Sequence, residues 1–274
     1  MHDKMITMER VVHMNKHVIQ SYNEVAQIYD RARESEPGYP IQFVDAAVAT
    51  FGIGRSGKIL EIGSGTGKAT VPFAERGFSM LCLEPGSNLA AVAADKLRRY
   101  SNVTMEVVAF EDWELQPQQF DLVLSAGVFH RLSAETAYFK AAQALKESGW
   151  IALSWTEEVD SEAPIYQELD NAYQTYAPTI VAKMRRTLYG SRIRQHADQI
   201  VQSGCFKDPV IHQVPWSAHY NEQQYLNLLD TFVDIHTLSQ PEKQVLFQNI
   251  ATILRQHGGI TQSYGAVLYL AQKK

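Results

Sequence analysis

The stretch "KILEIGSGTGKAT", Lys58 to Thr70, sets three glycines, Gly63, Gly65 and Gly67, at every second position behind a short apolar run. Backbone this bare suits a ligand that must come close, and the spacing sorts the candidates. A P-loop reads G-x-x-x-x-G-K-[ST]. Here Gly67-Lys68 is followed by Ala69 and Ile62 stands where the first glycine belongs, so no magnesium-binding hydroxyl is in place. A dinucleotide fingerprint needs its third glycine at Lys68, whereas this chain has it at Gly67, which weakens that reading without removing it. What remains is an acid, Glu61, ahead of the three alternating glycines, a backbone that can press against a ligand lacking a pyrophosphate.

Around this loop the chain alternates β-like runs with amphipathic helical stretches, the pattern of βαβ units and a parallel sheet. The strands read "KILEIG", "SMLCLEP", "VTMEVVAF", "FDLVLSAG" and "GWIALSW". Ser133 is positioned to cap a helix over "AETAYFKAAQALKE" that Gly149 closes, and Gly77 stops the helix behind the glycine loop, whose first turns contain Pro72. After Trp155 the rhythm turns mostly helical, then β-like at "DPVIHQVPWSAHY". Two more helices follow, roughly Glu222 to His236 and Gln240 to His257, then a last strand "YGAVLYLAQ". The expected division is an N-terminal helical flap over 1–45, a cofactor-binding core over 46–156, a helical cap over 157–206, and C-terminal strands with a second helical insertion over 207–274. Late insertions beside strand ends commonly roof a ligand crevice.

With 274 residues, 45% of them hydrophobic, the chain can bury a full core as one large domain or one domain with a cap. A formal charge of −5 supplies no global basic field of the kind that gathers nucleic acid or anionic lipid. No apolar run approaches the roughly 20 residues of a membrane span, and the N-terminus is too charged for a signal-peptide core. The expectation is a soluble cytoplasmic protein, monomer or homodimer. Cys82 and Cys205 lie far apart without a zinc or redox motif, and no His/Cys/carboxylate cluster has metal-ligand spacing, so metal-independent chemistry is expected.

"LEIGSGTGKAT" resembles motif I of the class I S-adenosylmethionine-dependent methyltransferases. "YDRARESEPGYP", Tyr29 to Pro40, is similar to the "YD..RP.YP" segment of the branch that includes trans-aconitate methyltransferases, with an expanded loop at Ser35-Glu36. "LCLEPGSNLAAVA" resembles the acidic ribose-binding segment, and "FDLVLSAGVFHRL" the strand-four segment, usually seen with "HW" where this chain has His130-Arg131. "ESGWIALSW" resembles the usual "pGG.l.l", with Ser148-Gly149 replacing a glycine pair. The likeness covers the first 155 residues; beyond them only the layout of late insertions agrees. It implies a Rossmann-like, doubly wound α/β fold with a seven-stranded mixed sheet, S-adenosyl-L-methionine as cofactor and a small-molecule acceptor.

Several residues acquire roles from this resemblance. Glu84, about 20 residues past the glycine loop, would accept the ribose hydroxyls, with Pro85 and Leu89 of the same segment beside it. Gly63, Ser64, Gly65, Thr66 and Gly67 would lie against the methionine moiety, and Glu61 would attract its amino group. In "FEDWEL", Glu111 or Asp112 would meet the adenine amino group, with Phe110 against the base. Ser125, Ala126 and Gly127 end strand four at the topological switch point. Tyr22 and Tyr29, two helical turns apart, would present their rings to the sulfonium, and Arg31 would meet cofactor or substrate.

His130 is the candidate general base for an acceptor that must lose a proton; a carboxylate acceptor needs none. Tyr39, Trp155, Arg185 and Tyr189 are the candidate substrate contacts, and Arg185, Arg186, Arg192 and Arg194 make the densest basic group in the chain. Nucleic-acid methylation is disfavoured, since the Asn-Pro-Pro-aromatic and Pro-Cys motifs are absent. The leading function is O-methylation of a carboxylate or hydroxyl. The rivals are an NAD(P)-dependent oxidoreductase on a Rossmann core and a non-catalytic scaffold that binds S-adenosylmethionine.

Overall fold

In the computed structural model, which describes residues 16–33, 41–51, 57–159, 161–181 and 189–274, the apolar run ahead of the glycines is strand β1 (Lys58–Ile62). After it come β2 (Ser79–Leu83), β3 (Val103–Glu106), β4 (Phe120–Ala126), β5 (Leu145–Glu158), β6 (Val210–Tyr220) and β7 (Ile260–Gln272). They form a seven-stranded sheet in the order β3-β2-β1-β4-β5-β7-β6. The sheet is parallel from β3 to β5, and β7 runs antiparallel to both β5 and β6. This is the mixed α/β sheet expected from the sequence. Chain order reverses at β1, which pairs with β2 on one side and β4 on the other, so the carboxyl ends of β1 and β4 open a crevice.

Alternation along the parallel strands feeds two cores. Ile59, Met80, Cys82, Leu122 and Leu124 face α3 (Ile41–Phe51) and α4 (Thr70–Ala74) through Phe43, Val44 and Phe73. Leu60, Ile62, Leu83, Val123 and Leu153 face α6 (Ala134–Ala144) through Ala137, Tyr138 and Ala141. Each fully buried Leu or Val there stabilises the fold by about 1.5–3 kcal/mol. Between β2 and β3 runs α5 (Ser87–Leu97), whose Ala93 and Leu97 pack under the glycine loop.

The late insertions are α7 (Pro164–Tyr176), α8 (Pro178–Val181), α9 (Tyr189–Gln202), α10 (Glu222–Leu229) and α11 (Gln240–His257). They pack in two groups across the expected divisions 157–206 and 207–274. Helices α7, α8, α10 and α11 share a third core with Tyr220 and Tyr264, whereas α9 lies on the main sheet through Ile200, and Tyr269 Oη donates to the Ile193 carbonyl at 3.2 Å. The N-terminal segment holds α1 (Lys16–Glu24) and α2 (Ala26–Ala32), and α3 straddles the expected boundary at 45.

Cap chemistry explains the ends that matched and those that did not. Ser239 and Glu242 form a capping box, Pro241 sits in the first turn and Gly258 closes α11 in the left-handed region at φ 72°, which gives the expected range. Ser239→Ala is expected to lower the unfolding free energy by about 1 kcal/mol, measured by urea denaturation. The helix expected over Glu222 to His236 stops at Leu229, and only a 3-10 turn, Ile235–Thr237, follows. Helix α6 ends at Ala144 rather than at Gly149, because Leu145 already pairs with Phe120 as part of β5. Ser133 holds the N-cap position of α6 without a side-chain cap bond. The strand expected over "VTMEVVAF" keeps only Val103–Glu106.

Candidate active site

A cavity of about 550 Å³ opens at the β1/β4 crevice, roofed by α1, α2 and α9. Its floor is the glycine loop. Gly63 and Ser64 donate to the Leu83 carbonyl at 2.8 and 3.1 Å, and Gly67 to that of Ser64 at 2.9 Å, folding the loop back over the strand ends. All three glycines adopt positive φ, 68°, 56° and 80°, which accounts for glycine at every second position. A Cβ on Gly65 would enter open space; on Gly63 it would lie 2.8 Å from Val128. Gly63→Ala therefore combines backbone strain with a clash at the cavity wall, and is expected to cost about 2 kcal/mol of cofactor affinity or stability, read by calorimetric titration and thermal melting.

Glu84 is buried at the end of β2 and each of its oxygens accepts one backbone N–H, from Gly65 and from Gly86, both at 2.8 Å. Burial raises its pKa and the two N–H groups oppose that rise. Each oxygen retains a lone pair for a further donor. Glu61 is wholly buried, with Thr70 Oγ1 donating at 2.6 Å and Cys82 Sγ 3.5 Å away. Burial pushes its carboxyl up to about 7, against the Thr70 and Cys82 bonds, with the nearby charge of Glu84 adding to the rise.

The roof is latched to this floor. Asp30 accepts from Thr66 Oγ1 at 2.6 Å and pairs with Lys96 at 2.5 Å; burial opposes its charge, but these bonds hold its carboxyl below the usual range. Asn23 and Asn88 bond twice, and Lys68 Nζ donates to the Arg33 carbonyl. Tyr22 and Tyr29 meet edge to face, ring centroids 5.9 Å apart, although the chain turns at Val25 between α1 and α2. One side of each ring is taken by a guanidinium, Arg131 at Tyr22 and Arg33 at Tyr29.

At the carboxyl end of β5, Trp155 Nε1 donates to His130 Nδ1 at 2.9 Å, and His196 of α9 stacks on the Trp155 indole, centroids 3.8 Å apart and planes within 1°. The indole is a donor only, so Nδ1 is the acceptor and the neutral ring carries its proton on Nε2. The protein walls around His130, together with the charges of Arg131 and His196, lower its pKa to about 4. Arg192 of α9 pairs with Glu157 at 2.5 Å.

Gly63, Ser64, Gly65, Thr66, Glu61, Glu84, Pro85, Leu89, Ala126, Gly127, Tyr22, Tyr29, His130 and Trp155 all line the cavity. Others named from sequence do not. Gly67 faces Leu97 and Ala93, and Ser125 is buried beneath the floor with Oγ on the Ile62 carbonyl. Phe110 is a core residue stacked on Trp113. Glu111 and Asp112, which are not among the lining residues, sit in a loop whose carbonyls at Phe110, Glu111 and Trp113 are gathered by Lys140 Nζ. Arg31 points outward, and Arg33, one turn past Tyr29, takes the cavity place instead. Tyr39 and Arg185 lie outside the described residues, as does the side chain of Tyr189. Arg131, Glu157 and Arg192 were missed as individual contacts; the departure from "HW" was the signal for Arg131. A more open groove of about 700 Å³ between α10 and α11, lined by Leu226, Lys243, Phe247 and Arg255 among others, contains none of these motifs.

The floor suits S-adenosylmethionine: bare backbone at Gly65, a buried carboxylate with spare lone pairs at Glu84, and a second acid at Glu61. Residues 59–149 match the family model described as "Methyltransferase domain". That match spans about a third of the chain, and with the fold and the site it supports an S-adenosylmethionine-dependent methyltransferase of class I. The chain is 23% identical over 249 residues to an uncharacterized methyltransferase of Mycobacterium tuberculosis, covering 90% of this chain and 91% of that one. A protein of Anabaena variabilis assigned to an antibiotic biosynthesis pathway as a methyltransferase shares the fold, with a TM-score of 0.60 at 16% identity, over 85% of this chain and 98% of that one. Phosphoethanolamine N-methyltransferase 2 of Haemonchus contortus, solved with phosphomonomethylethanolamine and S-adenosylhomocysteine, matches at TM-score 0.57 and 17% identity. That match covers 96% of this chain, which spans 60% of the Haemonchus enzyme. Among the described residues no helix is long and apolar enough to cross a membrane, and no cluster of His, Cys, Asp or Glu has metal-binding geometry.

Proposed function

We propose that the chain methylates a small molecule at oxygen, with a carboxylate as the acceptor, as a relative of the branch that includes trans-aconitate methyltransferases. The observation that carries this reading is His130. Its Nδ1 lone pair is held by Trp155 and its Nε2 bears the proton, so the ring is a hydrogen-bond donor at neutral pH rather than the general base that a hydroxyl acceptor would require. The role of base suggested by the sequence is thus replaced by that of donor. A carboxylate needs no deprotonation at neutral pH.

The bound cofactor supplies a sulfonium methyl group, an electrophilic carbon with a good leaving group. The remaining work falls to the chain. Glu84 and the glycine loop would fix the nucleoside and methionine ends, Glu61 would meet the amino group, and Tyr22, Tyr29 and the Asp30–Thr66 latch would exclude water from the reacting pair. Attack by a carboxylate oxygen yields an ester and a thioether, with no proton to remove.

Transfer of a radiolabelled methyl group across a panel of small carboxylic acids, phenols, alcohols and amines tests the reading. The expected product label is base-labile, released as methanol in alkali; a base-stable product contradicts a carboxylate acceptor.

A further inference from the structure

Arg131 closes the 3-10 turn Phe129–Arg131 and lines the cavity beside His130. A guanidinium offers five N–H donors in a fixed fork. Among the described residues Arg131 engages one group by hydrogen bond, Nη2 to Tyr22 Oη at 2.9 Å, and no carboxylate pairs with it. The other cavity cations are committed: Lys68 to the Arg33 carbonyl, Arg192 to Glu157, and Arg33 to Thr231 Oγ1 and the rings of Tyr29 and Phe232.

The charge balance points the same way. Arg33, Lys68, Arg131 and Arg192 face Glu61, Glu84 and Glu157 across the cavity. The amino and carboxylate groups of S-adenosylmethionine cancel, and its sulfonium adds a further positive charge. The loaded site therefore holds uncompensated cations, and Arg131 has no carboxylate partner among the described residues. His130 adds a second donor next in sequence, since its bond from Trp155 assigns the proton to Nε2.

We propose that Arg131, with His130 Nε2–H beside it, is the acceptor's anion subsite, holding a carboxylate by charge-assisted hydrogen bonds and so selecting acidic small molecules. This rests on the reading of the cavity as the site of a small-molecule methyl acceptor. A carboxylate bound there through one oxygen keeps a lone pair on the other for the displacement. Tyr22 orients the guanidinium, which joins acceptor choice to the α1 segment of the roof.

The test is binding, separate from turnover. The protein loaded with S-adenosylhomocysteine is titrated with acetate, succinate and benzoate and with their primary amides, following Trp fluorescence and heat. At least one acid is expected to bind about 10- to 100-fold more tightly than its amide. Arg131→Gln should erase that ratio and Arg131→Lys restore part of it, while Arg194→Gln, an exposed cap arginine, should leave it unchanged. Because the ratio is taken within one variant, a general loss of folding or cofactor affinity cancels. Acid and amide binding alike, no acid binding at all, or a ratio that survives Arg131→Gln would overturn the subsite. A surviving, Arg131-dependent ratio together with a base-stable methyl product would overturn the carboxylate acceptor while leaving the subsite standing.

Discussion

Glu84→Ala is expected to weaken S-adenosylhomocysteine binding by about 3 kcal/mol, roughly 100-fold, in calorimetric titration. Two losses add up. In the proposed pose the ribose hydroxyls would lose a charged acceptor, and the N–H groups of Gly65 and Gly86 lose the oxygens that now fix them at 2.8 Å. Gly65 belongs to the floor itself, so the substitution also loosens the surface against which the methionine moiety would lie. A folded variant with unchanged affinity would remove Glu84 from the cofactor site. Glu84→Gln separates the two contributions, since its amide can accept one N–H but carries no charge.

Glu61→Gln should change how stability depends on pH. The folded carboxyl titrates near 7 instead of the ordinary 4.5, so the folded state holds this proton more tightly than the unfolded chain. Its contribution to stability is therefore complete below pH 4.5 and is lost as the pH rises through 7. Between those limits the wild type is expected to lose about 3 kcal/mol relative to Glu61→Gln, whose amide keeps the Thr70 bond without titrating. Chemical denaturation of both proteins without cofactor, at several pH values between 4.5 and 8.5, measures the difference. A difference that is flat with pH would mean that Glu61 is not buried as a shared-proton group. The same position gives a second readout: an ammonium group arriving beside Glu61 favours the carboxylate, so cofactor binding near pH 7 should release protons to the buffer.

The glycine loop, the acid at the end of β2 and the parallel βαβ run were legible because each is set by local chemistry: positive φ demands glycine, and the parallel run alternates strand and helix. The rough range expected for α11 agrees with the observed Gln240–His257, whose ends are set by the Ser239–Glu242 capping box and Gly258. The α1–α2 segment was harder. A seven-residue spacing correctly put Tyr22 beside Tyr29, but the turn at Val25 resets the helix phase, so Arg31 was preferred where Arg33 faces the cavity. The placement of "FEDWEL" is hard to read for a different reason. An acid at the family's position is a sequence fact, whereas the carbonyl cluster around Lys140 that holds the loop depends on a residue nearly thirty positions later. Arg192 and Glu157 come from elements that meet only once α9 docks on β5 and β7, and no local pattern carries that pairing.

The same distinction explains why donor and acceptor are not equally legible. The donor side is read by backbone and by one acid per strand end. The proposed acceptor side draws on the turn after β4, the end of β5 and α9, three segments distant in sequence, and on a His130 tautomer set by its bond from Trp155.

Parallel titration of the protein with S-adenosylhomocysteine and with NADH tests the central claim most directly. One equivalent of S-adenosylhomocysteine should bind per chain, with affinity lost in Glu84→Ala, and NADH should not bind. Tight NADH binding with none of S-adenosylhomocysteine would contradict the assignment of the β1/β4 cavity to a sulfonium cofactor.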